Sequence, residues 1–253
     1  MRIFPYRRLA AAAGVIVLAA CGTEGPLDPS RLPDLPVAAA FDPDFAFFAR
    51  TPATGGTTDA WTLALQRVAA AESEISPIAA VPFAALTSAA TGTPTRTSSV
   101  WRWPLSFTHG GEPYDGELRS SVTGGQHGWD LIISAPTHSP PLTNYLWMTG
   151  FTDGVGRQGL WYIADSENGT DQVSAGLSWE LNAQDEISFA FSSTDSTLWT
   201  YIRGTDETTL TWLVHNQPRH VVTWNPAAGT GSTWTSGTNV EECWNADQHD
   251  VAC

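Results

Sequence analysis

The sequence predicts a mainly β protein, an antiparallel meander that closes into a barrel, half-barrel or sandwich, with one or two N-terminal helices. From Val100 onward, short runs rich in Trp, Tyr, Phe, Val, Ile and Thr alternate with Gly, Asp, Asn and Pro turns. These turns have hairpin length, so consecutive strands should pair antiparallel. About ten or eleven strands fit between residues 99 and 245, and a sheet of that size usually curls or splits.

The chain opens with a basic and then apolar leader. Residues 1–8 carry three arginines and no acid, and an apolar run of 12 residues extends from Leu9 to Ala20. A helix needs about 20 apolar residues to span a bilayer, so a permanent membrane span is not expected here. The run ends in Leu18-Ala19-Ala20-Cys21, a leucine followed by two small residues and a cysteine.

These residues resemble the type II signal peptide and lipobox of bacterial lipoprotein precursors. The resemblance implies that residues 1–20 are removed, and that Cys21 becomes a first residue carrying diacylglycerol and a fatty acid such as palmitate. It also implies export to the cell envelope, with the acyl chains as membrane anchor. Gly22 stands where an Asp commonly marks inner-membrane retention, so the outer membrane, facing the periplasm or the outside, is expected in a Gram-negative organism. The alternative is an ordinary signal peptide cut near a cysteine.

Residues 21–57 are predicted to form a flexible tether that lifts the domain off the membrane. Six prolines break any helix in this range, and Gly55-Gly56 adds slack. A group of phenylalanines interrupts its polarity and is expected to dock on the domain or to begin its first element: Phe41, Phe45, Phe47 and Phe48.

Residues 58–98 are predicted to be a helical segment and a linker. Residues 58–75 are rich in Ala and place apolar side chains at helical spacing, with Asp59 as a capping residue. Residues 78–90 are a second Ala-rich stretch. Both a second helix and an interruption at Pro82 are compatible with its sequence.

Residues 99–253 are the predicted β domain, whose tryptophans are its most unusual feature. Eleven of the 12 tryptophans follow residue 100, many on an alternating apolar face. Bulky rings of this kind fill a core in the simplest interpretation. A curled sheet of this length can also leave an apolar cavity. The residues expected to line such a cavity are Trp147, Trp161, Trp179, Phe189 and Trp212.

The chain is strongly acidic and contains arginine but no lysine. Its formal net charge is −14, and removal of residues 1–20 takes away three arginines and no acid, which gives −17. Such a surface repels nucleic-acid phosphates, so no nucleic-acid partner is expected. Because lipidation takes Cys21 and the exported compartment is oxidising, a disulfide between Cys243 and Cys253 is predicted, with two free thiols as the alternative.

The sequence contains no recognisable catalytic, cofactor or metal-binding motif. The lack of lysine excludes a P-loop, a lysine Schiff base and a Ser-x-x-Lys nucleophile. His215 and His220 flank a turn, but two histidines without further ligand spacing do not predict a metal site. Asp115 and Glu117 share a predicted strand face, yet no motif marks any acid pair as hydrolytic.

Two functional hypotheses follow. The first is a membrane-anchored lipoprotein whose β domain binds an apolar or amphipathic ligand, with an architecture like lipocalin-type or lipoprotein-carrier half-barrels. The alternative is a structural or interaction protein that binds an envelope protein or a glycan through exposed aromatic residues. A cavity lined by the alternating aromatics would favour the first hypothesis, and a filled core with exposed tryptophan would favour the second. A hydrolase ranks third.

Overall fold

The computed structural model describes residues 27–36, 43–49, 59–164, 172–184, 186–193, 197–238 and 240–253. The predicted signal peptide, the lipobox and Cys21 lie outside the described residues. Within these ranges, one long α-helix precedes a single sheet of 14 strands.

The helix α1 extends over Asp59–Thr91 and joins both predicted helical stretches. Pro77 and Pro82 lie inside it, and each removes a backbone N–H donor. Packing offsets this cost, because one stripe of α1 is buried at intervals of three or four residues. That stripe includes Trp61, Ala64, Val68, Ala71, Ile75, Ala79, Pro82, Leu86 and Ala89. No helix in the described part of the chain combines the length and hydropathy required to cross a membrane.

The predicted antiparallel meander is confirmed, since every strand pairs antiparallel with the next one in the sequence. The sheet is open, because its order begins at β1 and ends at β14. Fourteen strands form where about ten or eleven are expected. Their bounds are β1 Thr95–Thr97, β2 Val100–His109, β3 Glu112–Thr123, β4 Gln126–Ala135, β5 Leu142–Thr152, β6 Gln158–Ala164, β7 Val173–Leu181, β8 Ile187–Ser193, β9 Thr197–Arg203, β10 Thr208–Val214, β11 His220–Asn225, β12 Thr230–Thr235, β13 Glu241–Trp244 and β14 Asp250–Val251.

The two faces of the sheet differ in burial, as the period-two alternation of strands requires. We call the face that packs on α1 the inner face and the opposite one the outer face. In β5 the alternation is interrupted, because the pairing with β4 shifts register and both Trp147 and Met148 are buried. Thr149 and Phe151 therefore lie on the outer face, whereas uninterrupted alternation from Tyr145 would place them on the inner face.

The sheet curls around α1. The helix packs on β2 and β3 at one side of the sheet and on β11 to β14 at the other. At the second side, the rings of Trp61 and Trp244 meet edge to face at 5.6 Å, and the Ala60 amide donates to the Asp250 carboxylate at 3.3 Å. An open sheet that contacts one helix from both sides fits a half-barrel.

Two N-terminal segments, residues 27–36 and 43–49, pack against one end of the sheet. This capped end carries the turns that follow the odd-numbered strands, among them β3–β4, β5–β6, β9–β10 and β11–β12. Residues 46–49 form a short 3-10 helix in which Phe47 and Phe48 are buried. Pro33, Pro36 and Phe45 are buried as well.

Cys243 and Cys253 form the predicted disulfide, with Cα atoms 5.4 Å apart. The bond joins β13 to the residues that follow β14. It therefore fastens the last strand, whose Asp250 contacts the start of α1.

Candidate functional site

The five residues expected to line a cavity lie on the inner face. Trp147, Trp161, Trp179 and Phe189 are buried, and Trp212 is half-buried. The indole rings of Trp161 and Trp179 stack at 5.9 Å, and Trp179 pairs with Phe189 across β7 and β8. Trp212 stacks on Trp199 at 5.0 Å, with the two ring planes at 10°. Trp147 is set apart from these rings, and its neighbours are Tyr114, Tyr145 and His138.

Glycines on neighbouring strands make room for tryptophan rings of the inner face. A Cβ atom on Gly159 would lie 2.2 Å from Cη2 of Trp179, and one on Gly231 would lie 2.2 Å from Cζ2 of Trp244. The rings thus lie directly over the neighbouring backbone. This is core packing at close range, because no Cβ could share the space.

The helix α1 covers the inner face of β9 to β12 with polar as well as apolar contacts. The indole N–H of Trp199 donates to the Glu74 carboxylate at 2.8 Å. The Arg67 guanidinium donates to Thr233 and, at 2.7 Å, to Thr235. Burial lowers the pKa of Arg67, an effect that the nearby Glu242 carboxylate opposes. These contacts seat the helix in one position on the sheet.

The clefts on the described surface include two to which none of the five predicted lining residues contributes. One, of about 290 Å³, lies at the capped end between Asp44, Phe47, Tyr201, Arg203 and Asp206. The other, of about 300 Å³, lies on the outer face around Arg102, Glu117 and Asn144.

The outer face is divided into a charged part and an uncharged part. On β2 to β4 it carries Arg102, Asp115, Glu117, Arg119 and Asp130. Glu117 accepts hydrogen bonds from Arg102 and Arg119. Burial acts to raise the pKa of Glu117, but the bonds and charges of Arg119 and Arg102 outweigh it, so that pKa lies below its usual value. This carboxylate is therefore engaged in an ion-pair network, which leaves it unsuited to act as a general acid.

On β6 to β12 the outer face carries one charged side chain, Glu180. We call this surface the uncharged outer face. Small hydroxyl and methyl side chains make up most of it, such as Ser178, Ala190, Thr200 and Thr211, which follow one another in register across β7 to β10. Larger apolar side chains also reach it: Leu160, Tyr162, Leu198, Ile202, Leu213, Val221 and Trp234.

None of the 12 tryptophans is exposed. Trp101, Trp212 and Trp234 are half-buried, and the other nine are buried. Of the three, Trp234 lies on the uncharged outer face, where the Arg219 guanidinium is 6.0 Å from its ring centre. The core is thus filled, as the second hypothesis expects. That hypothesis also expects exposed tryptophans, and the structure has only half-buried ones.

Of the residues considered in the sequence, Asp115 and Glu117 share the outer face of β3, as expected, and the two histidines lie at the hairpin of β10 and β11. His220 pairs with Trp212 in the sheet and lies 3.1 Å from the Thr235 hydroxyl, whereas His215 is exposed in the β10–β11 turn. The described residues contain no group of three or more His, Cys, Asp or Glu side chains placed to hold a metal ion.

Sequence reasoning missed Arg67 and Glu74 as the residues that seat α1, and it missed the uncharged outer face. The first pair has no local signal, because its partners are more than 120 residues away. The uncharged outer face does have a signal in the sequence. In a chain with 26 acids, the strands β6 to β12 contain no Asp and no Glu other than Glu180.

No protein-family model matches this chain, and no match is found among curated proteins or solved structures. The geometry of the site is therefore the basis for its functional interpretation.

Proposed function

We propose that this chain is a lipid-anchored envelope protein whose β domain is an interaction module, and that it binds another envelope protein through the uncharged outer face. The observation that carries the proposal is the single charge, Glu180, on the outer face of seven consecutive strands. The centres of protein–protein interfaces are depleted of charged residues relative to the remaining surface. Contiguous surface of low charge with apolar side chains marks interaction sites.

The contrast with the rest of the molecule strengthens this interpretation. The chain carries a net charge of −14, and the outer face of β2 to β4 has five charged residues on three strands. Strong net charge keeps a protein soluble and separate from its neighbours. A surface without charged side chains can bind a partner without the energetic cost of removing water from ions.

The packing of the inner face favours interaction over ligand transport. Trp161, Trp179 and Phe189 are buried in the same hydrophobic cluster as the buried stripe of α1, so an apolar ligand could reach them only if packed side chains moved aside. Glu74 and Arg67 hold the helix to Trp199, Thr233 and Thr235. Ligand binding inside the half-barrel remains the competing hypothesis for the test.

The anchor in this proposal is Cys21, by its resemblance to a lipobox cysteine. The oxidising compartment that the anchor implies agrees with the Cys243–Cys253 disulfide. The expected location is the envelope, at the outer membrane in a Gram-negative organism.

Site-specific photo-crosslinking in the native host tests the interaction surface. A photoreactive phenylalanine analogue is placed at Thr200 or Thr211, which face each other on the uncharged outer face. Matched controls carry it at Ser106 or Thr108, exposed outer-face positions of β2. We expect one discrete protein adduct at Thr200 and Thr211 and none at the control positions. Thr200→Glu should abolish the adduct formed at Thr211, and Ser106→Glu should leave it unchanged.

Native mass spectrometry of the protein purified from its host tests the competing hypothesis. We expect a bare mass. A lipid-sized mass that organic extraction removes, together with no adduct at Thr200 and Thr211, would overturn the interaction module and establish ligand binding. An adduct with the mass of a glycan would replace the protein partner by a carbohydrate.

A further inference from the structure

The uncharged outer face has small side chains at its centre and larger ones around them. Its central strand is β9, the fourth of the seven strands β6 to β12, and Thr200 is the fourth of the seven residues of β9. Ala190 and Thr211 pair with Thr200 on either side, and Ser178 follows on β7. Larger apolar side chains surround this centre, among them Leu160, Leu198, Ile202, Leu213, Val221 and Trp234.

This arrangement of sizes compensates for the curvature of the sheet. The outer face is the convex side, because the sheet curls around α1 on its inner face. On a convex surface the centre protrudes furthest toward a partner. Small side chains at the centre and larger ones around it therefore bring the contact surface closer to a plane. Two such surfaces can lie against each other as the two sheets of a β-sandwich do, about 10 Å apart.

The size of the face matches one partner in a stable protein–protein interface. Neighbouring strands are ~4.8 Å apart, so seven strands extend over ~34 Å, and a strand of seven residues rises ~23 Å. The face therefore measures on the order of 800 Å², and a standard interface buries about 800 Å² on each partner. The same face of a second copy is thus large enough to cover it.

The charge distribution favours a second copy as the partner. The chain carries a net charge of −14, so contact between two copies over a charged surface would oppose like charges, which is unfavourable. The uncharged outer face avoids this repulsion. Its one charge, Glu180, lies next to the end of β7, and Glu241 lies beyond the face, on β13. Interfaces between different proteins use complementary charges to select their partner, and the centre of this face has none.

We propose that the uncharged outer face binds a second copy of this chain, and that the two copies pack face to face about a two-fold axis that passes through Thr200. This inference rests on the proposed function and names the partner of the same surface. A two-fold contact joins the same patch on both copies. An axis through the centre of the face brings the two Thr200 side chains together, whatever direction the axis takes in the plane of the interface.

Opposite charges at Thr200 test the two-fold contact. Analytical ultracentrifugation of the full chain, purified from its host in a nonionic detergent, should give the mass of two copies. Thr200→Glu and Thr200→Arg should each raise the dissociation constant of this dimer about tenfold or more, because like charges then meet at the axis. An equimolar mixture of the two variants should dimerise again. Ser106→Glu, on the charged part of the outer face, is the matched control and should leave the dimer intact.

Three results of this experiment would overturn the proposal. They are a parent chain with the mass of one copy, a Thr200→Glu variant that dimerises like the parent, and a mixture that stays as dissociated as its two components. Recovery in the mixture also shows that both variants are folded, because a misfolded chain would not regain a partner when mixed.

Photo-crosslinking in the host separates this proposal from the proposed function. Two copies with different affinity tags are produced together, and one of them carries the photoreactive phenylalanine analogue at Thr200. The adduct should contain both tags and have twice the mass of the chain. An adduct with a different protein would overturn the second copy as partner and leave the interaction module standing. The lack of any adduct would overturn both.

Discussion

Trp199 on β9 donates its indole N–H to the carboxylate of Glu74 on α1 at 2.8 Å, across 125 residues of sequence. Trp199 is fully buried and stacks on Trp212. A buried indole N–H needs an acceptor, and here the helix supplies one. This hydrogen bond couples the packing of the half-barrel core to the position of α1.

Replacing this acceptor should therefore destabilise the protein. Glu74→Ala leaves the Trp199 N–H without its partner, and we expect the free energy of unfolding to fall by about 1–3 kcal/mol. Urea denaturation followed by tryptophan fluorescence measures the change. Glu72→Ala, at an exposed position of the same helix, is the control and should stay within about 0.5 kcal/mol of the parent. Equal effects of the two substitutions would refute the role of Glu74.

A methyl group at Gly159 should disturb the stacked tryptophans. Gly159→Ala puts a Cβ 2.2 Å from Trp179, so this ring, which stacks on Trp161, must shift, at a cost of about 1–3 kcal/mol. Thermal unfolding and near-UV circular dichroism report the loss. In Gly128→Ala the nearest atom to the new Cβ is 3.6 Å away, so this control should unfold at a temperature close to that of the parent. The prediction is wrong if both variants behave like the parent.

The stability of the domain should decrease as the pH falls below about 6.5. Burial lowers the pKa of His127 from its ordinary 6.5, although Asp34 and Asp153 act in the opposite direction. Below 6.5 the unfolded chain takes up a proton that the folded chain still excludes, so the free energy of unfolding falls with pH. Urea midpoints between pH 5 and pH 8 measure this slope. His127→Gln should reduce the slope, and the same substitution at the exposed His215 should not. Part of the slope should remain in His127→Gln, because burial and the charge of Arg67 also lower the pKa of His220.

Loss of the disulfide should loosen the start of α1. A double variant, Cys243→Ser with Cys253→Ser, should lose about 2–3 kcal/mol of stability, since the closed loop is short. Because β14 carries the Asp250 that accepts from Ala60, amide hydrogen exchange should accelerate in the first turn of α1. Exchange around Leu86, near the other end of the helix, provides the internal control. Uniform acceleration along α1 would argue against a local link.

The sequence predicts the fold class well because its signals are local. Strands such as β8 and β9 alternate between apolar and small polar side chains, and short turns separate them. The strand β3 has a weaker signal: its outer face bears Asp115, Glu117 and Arg119, and its inner face includes Gly116 and Ser120. A strand count that relies on alternating aromatic residues is therefore too low.

Long-range packing explains what the sequence does not predict. Pro77 and Pro82 favour a break in the helix, yet burial against the sheet keeps α1 continuous. The extra residue at Trp147 in β5 depends on its pairing with β4 and reverses the face of Phe151. The contact between Arg67 and Thr235 depends on how the whole sheet curls, which no local pattern encodes.

The open sheet also has a consequence for self-association. A sheet that does not close leaves unpaired backbone N–H and C=O groups along its first and last strands, where another chain can add. Here β1 has three residues with Arg96 at its centre, and β14 has two, one of them Asp250. The strands rich in Thr, Val and Trp carry almost no charge that would oppose aggregation. They all lie inside the sheet, where each is paired on both sides. The meander order thus keeps its most amyloid-prone segments away from the edges.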